Sequence, residues 1–252
     1  KGHPCFFSPN CHEALLPGGA TRQADWPSLL RALKTHPMGK GHPLPVVLAD
    51  SMGGPGRPGP VWDLLGELPK NCILVADDSH GIGISGPDGS GSWRPLAGMG
   101  FEEVVLCASL GKAMGVTAGI LAGTAHRIEE LGETPFFAGA SPAPPAGIST
   151  LLKAIERKLY QKKWKLLATR VAYFQDRVER LGSLTSHKGY PVLSFRDRNL
   201  VSHLLKKRIV ITDFRYPAEG EMASPSRIVI TAAHREAQLR HLAEVLAGFE
   251  NY

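Results

Sequence analysis

The 252-residue chain has no run of eighteen or more apolar residues, which argues against a membrane-spanning helix. It has only four cysteines, Cys5, Cys11, Cys72 and Cys107, and their spacing fits no metal-binding pattern. Cys72 and Cys107 fall inside apparent strands, as reduced core thiols do, so the expected setting is the cytoplasm. No secretory leader is recognisable, although the first residues read as the interior of a longer sequence. No internal repeat stands out. Lys and Arg number 29 against 23 Asp and Glu, a net charge of +6, but no nucleic-acid reading module accompanies the excess. A nucleic-acid partner is therefore not expected.

What the sequence does have is a series of short apolar runs, with 43% hydrophobic residues, enough for a sizeable core spread over two lobes. Trp26 to Leu33 reads as a helix because Leu29, Leu30 and Leu33 share one face. Pro45 to Ala49, Cys72 to Ala76, Val104 to Ala108 and Gly119 to Ala122 read as strands, and Val61 to Leu68 as a helix between Pro60 and Pro69. Strands alternating with helices predict an α/β fold with a largely parallel sheet. The proline-rich stretch Ser141 to Pro145 breaks regular structure, and Ala146 to Leu181 then carries one long helical periodicity that stops at Gly182. Beyond it, strands over Pro191–Phe195, Ile209–Thr212 and Arg227–Thr231 and helices over Asn199–Lys207 and Arg235–Phe249 predict a small α+β domain. The expected organisation is a large domain over 1–145, a linking helix over 146–182 and a small C-terminal domain over 183–252.

Two of the apolar runs end in reactive groups. Ile73-Leu74-Val75-Ala76 leads into Asp77-Asp78-Ser79-His80, and Glu103 to Ala108 leads into Ser109-Leu110-Gly111-Lys112. Open α/β sheets gather ligands at the carboxyl ends of their strands. A buried carboxylate there stabilises a protonated ring nitrogen, and a desolvated lysine becomes a nucleophile toward carbonyls. An acid and an amine so placed suit a cationic aromatic cofactor. They point to pyridoxal phosphate, whose ring draws electrons from a substrate carbon. Lys112 is then the candidate Schiff-base lysine, Asp77 the partner of the ring nitrogen, His80 a partner of the phenolic oxygen and Ser109 a donor to phosphate. Gly111 and Gly115 let the backbone come close to such a group. His3, His36 and His42 lie in loops without ligand spacing, and His234 reads as structural.

These stretches, in order and over most of the chain, resemble the α-oxoamine synthase family of fold-type-I pyridoxal-phosphate enzymes. Asn10-Cys11-His12-Glu13-Ala14 resembles the family's NHAS segment, Val46 to Met52 the segment ending in FSMDG, and Val75 to Gly86 the stretch VDDAHGTGVLG. Ser109 to Gly115 resembles TLGKAFG, Ser141 to Ala146 the STSLPPA loop, and Arg227 to His234 the RLTLTAAH stretch. The resemblance implies an aminotransferase-like large domain with a small C-terminal domain. It implies catalytic roles for Lys112, Asp77 and His80, with Ser51 and Ser109 also on the cofactor and His12 stacked on its ring and touching substrate. It further implies that Ser141 reaches the phosphate of a neighbouring subunit in a homodimer, and that Arg227 binds the substrate carboxylate by a bidentate pair. The substrates implied are an amino acid and acyl-CoA or another acyl thioester, joined to give an aminoketone. Basic residues along Lys153 to Lys165 read as a solvated helix face, or as an attraction for a phosphorylated partner such as coenzyme A.

The chain departs from the family pattern at several places. Gly89-Ser90-Gly91 stands where the family has GRG, Gly53 to Pro60 lacks the usual acids, Ala140-Ser141-Pro142 replaces STS, and Ala218 stands in place of a substrate-contacting threonine. The family's N-terminal segment, with a phosphate-contacting loop, has no counterpart before Pro4. Two alternatives therefore stay open: an aminotransferase on the same scaffold, and a non-catalytic subunit that supports a catalytic partner.

Overall fold

The computed structural model describes residues 2–17, 20–37, 41–54, 57–211, 213 and 226–250. Its contacts divide into two compact units, one from residues 1–52 and 60–160, the other from 53–59 and 161–252.

The first unit is built on a five-stranded sheet. Its strands are β1 (Cys5–Phe7), β2 (Val46–Asp50), β3 (Ile73–Asp77), β4 (Glu103–Ser109) and β5 (Gly119–Ala122), in that spatial order. The first four run parallel, and β5 turns back antiparallel to β4. The sheet is thus mostly parallel, as the alternation of strand and helix patterns leads one to expect. Between and after the strands come α1 (Trp26–Thr35), α2 (Trp62–Gly66), α3 (Trp93–Ala97), α4 (Ala125–Gly132), α5 (Pro135–Ala138) and α6 (Pro145–Glu156). Asp25 starts α1 by accepting the Ser28 N–H at 2.7 Å, with Pro27 in the first turn, where its missing N–H is not needed.

Strand register decides what each face of the sheet carries. Asp50 pairs with Asp77, and Asp77 with Cys107. Neighbouring residues along a strand point to opposite faces. One face therefore presents Val47, Ala49, Leu74, Ala76, Leu106 and Ala108, all buried together with Leu29 and Leu33 of α1, Leu65 of α2 and Leu96 of α3. The other face carries Leu48, Val75 and Val105, and ends at the carboxyl edge in the row Asp50, Asp77 and Cys107.

The second unit has a three-stranded antiparallel sheet of β6 (Leu184–Ser186), β7 (Val192–Phe195) and β8 (Ser226–Val229), with β7 central. Helices α7 (Leu159–Val178, almost all of it in this unit), α8 (Asn199–Lys206) and α9 (Glu236–Glu250) accompany it. Val171, Phe174 and Val178 of α7 share a core with Leu193, Phe195, Leu200, Leu204, Ile228, Leu239 and Leu246.

Two expectations are corrected. The helical periodicity over Ala146–Leu181 is interrupted between α6 and α7, where Lys158 adopts a left-handed φ of 54° and its N–H bonds back to Ile155 O at 2.9 Å. The apolar pattern continues through the break because both helices bury one stripe each. The expected strand over Ile209–Thr212 does not form across 209–211, and Thr212 lies outside the described residues. There the backbone closes α8 instead: Arg208 is left-handed (φ 61°), and the Ile209 N–H bonds to Leu204 O at 2.9 Å. Ile209 and Ile211 still pack against the core, which is why they look like a strand in sequence.

Candidate active site

The carboxyl ends of β1 to β4 and the loops leaving them carry His12, Ser51, Asp77, His80, Ser109 and Lys112, whereas Ser141 lies apart from them in sequence, between α5 and α6. Asp77 ends β3, half-buried, and its Oδ1 accepts the Ser79 N–H at 2.8 Å. Ser79 Oγ in turn accepts the Ser109 N–H at 2.8 Å. The exit of β3 is thereby tied to the exit of β4. Ser109 Oγ accepts the Gly111 N–H at 3.3 Å, and the exposed Lys112 follows at once. His80 lies half-buried in the turn after β3.

The second acid of the DDSH stretch has a different task. Asp78 is 1% exposed, and its N–H donates to Cys107 O at 2.7 Å. Its carboxylate accepts the Ser51 Oγ–H, the Ser92 Oγ–H at 2.6 Å and the Ser92 N–H at 2.9 Å. Trp62 Nε1 donates to Ser92 Oγ at 3.0 Å. Burial raises the Asp78 pKa, and the three donated hydrogen bonds oppose the rise. Gly81 and Gly91 pack so closely on this carboxylate that a Cβ at either would lie 2.1 or 2.3 Å from its oxygens. Asp78 thus pins the loop of 78–92 beneath the site. Ser51, expected on the cofactor, is fully buried with its hydroxyl donated to Asp78. Its direct role here is to hold that strut.

Sequence reasoning missed Asp50. Its backbone is fixed on both sides: Asn10 Nδ2 donates to Asp50 O at 3.0 Å and to Met52 O at 2.9 Å, while Ser51 N–H donates to Asp77 O at 2.8 Å. Burial, and then the charge of Asp77 beside it, push the Asp50 carboxyl up to about 7; Lys112, Arg22 and the His12 backbone N–H pull the other way. Arg22 was also missed. It donates through Nε to Cys11 O and pairs with Glu13 at 2.5 Å. A lone arginine in a Pro- and Gly-rich segment carries no periodic signal, whereas Asp50, at the end of an apolar run as Asp77 is, could have been found by that rule.

The two thiols nearby are unreactive by environment. Burial first, then the carboxylates, push Cys107 up to about 12, and burial with Asp50 does the same for Cys11. His12 starts a single 3-10 turn, its Nδ1 accepting the Ala14 N–H at 3.1 Å. Ser141 is exposed on the loop between α5 and α6. Arg227 lies on β8 of the second unit, half-buried and opposite Ser194. Ala218 lies outside the described residues. His234 has a structural place: its Nδ1 accepts the Thr231 N–H at 3.0 Å in the turn before α9. Among the described residues, no group of three or more His, Cys, Asp or Glu is arranged to hold a metal, and no helix is long and apolar enough to cross a membrane.

Comparison with known proteins agrees with this geometry. A family model described as aminotransferase class I and II matches residues 15–246. The 8-amino-7-oxononanoate synthase of Nitrosococcus oceani is 30% identical over 253 residues, covering 93% of this chain and 66% of that protein. That of Stutzerimonas stutzeri is 33% identical over 202 residues, covering 73% and 51%. The chain thus spans about half to two thirds of the length of these relatives. A serine palmitoyltransferase from S. paucimobilis with a bound PLP–myriocin aldimine superposes with a TM-score of 0.81 at 18% identity, over 98% of this chain and 66% of that one. An 8-amino-7-oxononanoate synthase from Francisella tularensis does so with a TM-score of 0.69 at 16% identity, over 99% and 76%. At these identities the two structures speak for the fold alone, the fold-type-I, aminotransferase-like α/β fold. By family model and by relatives, the chain belongs to the aminotransferase class I and II family, on its α-oxoamine synthase branch.

Proposed function

We propose that this chain is the greater part of a pyridoxal-phosphate-dependent transferase that joins an amino acid to an acyl thioester, releasing the thiol and giving an aminoketone. The observation that carries the reading is the acid row ending β2 and β3 at the carboxyl edge of the sheet, the same edge from which the loop after β4 carries Lys112. That donor set fits a cationic ring carrying a carbonyl. When bound, pyridoxal phosphate supplies the electron sink that stabilises negative charge on a substrate carbon.

The chain's own residues then divide the work. Lys112 Nζ holds the cofactor and takes the proton from the amino acid's α-carbon. Asp77 keeps the ring nitrogen protonated, since an opposite charge at close range favours the charged form. His80 and Ser109 hold the ring oxygen and the phosphate. His12 has its Nδ1 occupied by the Ala14 N–H, which fixes the ring plane for stacking. Arg227 binds the amino-acid carboxylate. Ser141 serves the phosphate of a partner copy in a homodimer, and the setting is the cytoplasm.

The test is the absorbance of the protein with pyridoxal phosphate before and after borohydride, with peptide mapping of the modified lysine. Label on Lys112, lost in Lys112→Ala, is the expected result. No band, or label elsewhere, refutes the reading and favours a non-catalytic subunit. Amino-acid-dependent release of free thiol from acyl-CoA establishes acyl transfer, whereas conversion of the cofactor by amino acid without thioester establishes an aminotransferase.

A further inference from the structure

We propose that Asp50 is a second acid of the cofactor-binding site, a positioning residue that carries a proton until a cationic ring takes that proton's place. The inference rests on the pyridoxal-phosphate reading above. It begins from register: Asp50 and Asp77 are paired residues of adjacent parallel strands and point from the same face of the sheet. Adjacent strands lie about 4.8 Å apart. Asp50 is buried, and Asn10 and the β3 ladder hold its backbone, so the chain cannot simply turn the acid out to water.

Asp77 faces Asp50 from β3 and Cys107 from β4; Cys11 and Arg22 act from the segment after β1, where the His12 N–H also points at it, and Lys112 acts from the loop after β4. Carboxylates paired across adjacent strands repel each other when both are ionised. Lys112 and Arg22 reduce that repulsion, but Asp50 still holds its proton up to about pH 7. A ring cation arriving between the acids favours the doubly ionised pair. The proton then leaves, and affinity for the cation rises with pH by up to about tenfold per unit below 7 before levelling off.

Calorimetry of pyridoxal phosphate binding to the wild-type chain and to Asp50→Asn, in buffers of unlike ionisation heat, tests this between pH 5.5 and 8. Changes in the ionisation of the ligand's phosphate and of Lys112 are common to both proteins and cancel in the difference. The wild type is expected to release up to about one proton more than the variant, and its affinity to climb with pH relative to the variant's. Equal release with binding retained overturns the role of Asp50 and leaves the cofactor reading standing. Absence of binding to the wild type overturns both. If Asp50→Asn does not fold, carbon NMR of the Asp50 carboxyl in the free wild-type chain decides: titration near neutrality supports the proton held on Asp50, and titration in the ordinary aspartate range overturns it.

Discussion

Replacing Gly91 by alanine probes how rigidly the floor of the site is held. Gly91 has φ 79°, and an added Cβ would lie 2.3 Å from Asp78 Oδ2 and 3.3 Å from Ile82 Cα. The left-handed backbone costs an alanine about 1 kcal/mol. Restoring van der Waals contact requires the carboxylate to retreat by about 1 Å, which breaks at least one of the bonds it receives from Ser51 and Ser92. A hydrogen bond to a charged group contributes about 1.5–3 kcal/mol. The total expected for Gly91→Ala is about 2.5–4 kcal/mol. Gly100 supplies the control, because it has nearly the same φ, 77°, with nothing within 4 Å of the added Cβ. Gly100→Ala should therefore show the backbone cost alone, about 1 kcal/mol. Urea unfolding followed by tryptophan fluorescence measures both variants. If they differ by less than about 1 kcal/mol, Asp78 is not the rigid strut described.

Other substitutions test other parts of the fold. Asp50 holds its proton to about pH 7 in the folded chain, above its unfolded value, so the stability it contributes is full in acid and lost as pH rises through 7. Between pH 5 and 7 the wild type should lose stability relative to Asp50→Asn by at most about 1.4 kcal/mol per pH unit in thermal unfolding; a difference that does not change with pH refutes this. Phe174→Ala empties a fully buried position of the second unit and should cost about 3–5 kcal/mol in chemical unfolding. Arg127 joins α4 to β4 through Glu103, with Nη2 at 2.8 Å from Oε2, but the pair is partly exposed, so Arg127→Ala should cost only about 1 kcal/mol by the same assay. Lys158→Gly relieves a left-handed lysine between α6 and α7 and should raise the midpoint slightly, by about 0.5–1 kcal/mol in stability; a lowered midpoint contradicts the assigned backbone.

β2, β3 and β4 were legible because each is an apolar run that ends in polar residues. β1 escaped notice because three residues are too few to display alternation, and α3 because Trp93–Ala97 is a single turn around Pro95. The end of α8 was misread for a physical reason: Ile209 and Ile211 are buried as strand residues are, while their backbone serves a helix cap. At the site, Asp77 and Lys112 were visible from their positions at strand ends. The structure separates the two adjacent acids: Asp77 is in register with Asp50, while Asp78 turns inward to Ser51 and Ser92. Arg22 was not found because its significance comes from loop packing between segments distant in sequence, whereas Asp50 ends an apolar run as Asp77 does and was within reach of the same rule.

The alternation of alanine and aspartate at the strand ends has a bearing on how the chain avoids misfolding. If β2 or β3 slid by a single residue, Ala49 or Ala76 would trade places with Asp50 or Asp77, thrusting a carboxylate among the leucines of α1 to α3. The same acids that equip the upper rim for chemistry thus veto the nearest wrong alignments, so a chain that has assembled this sheet at all has assembled it with its reactive edge correctly built.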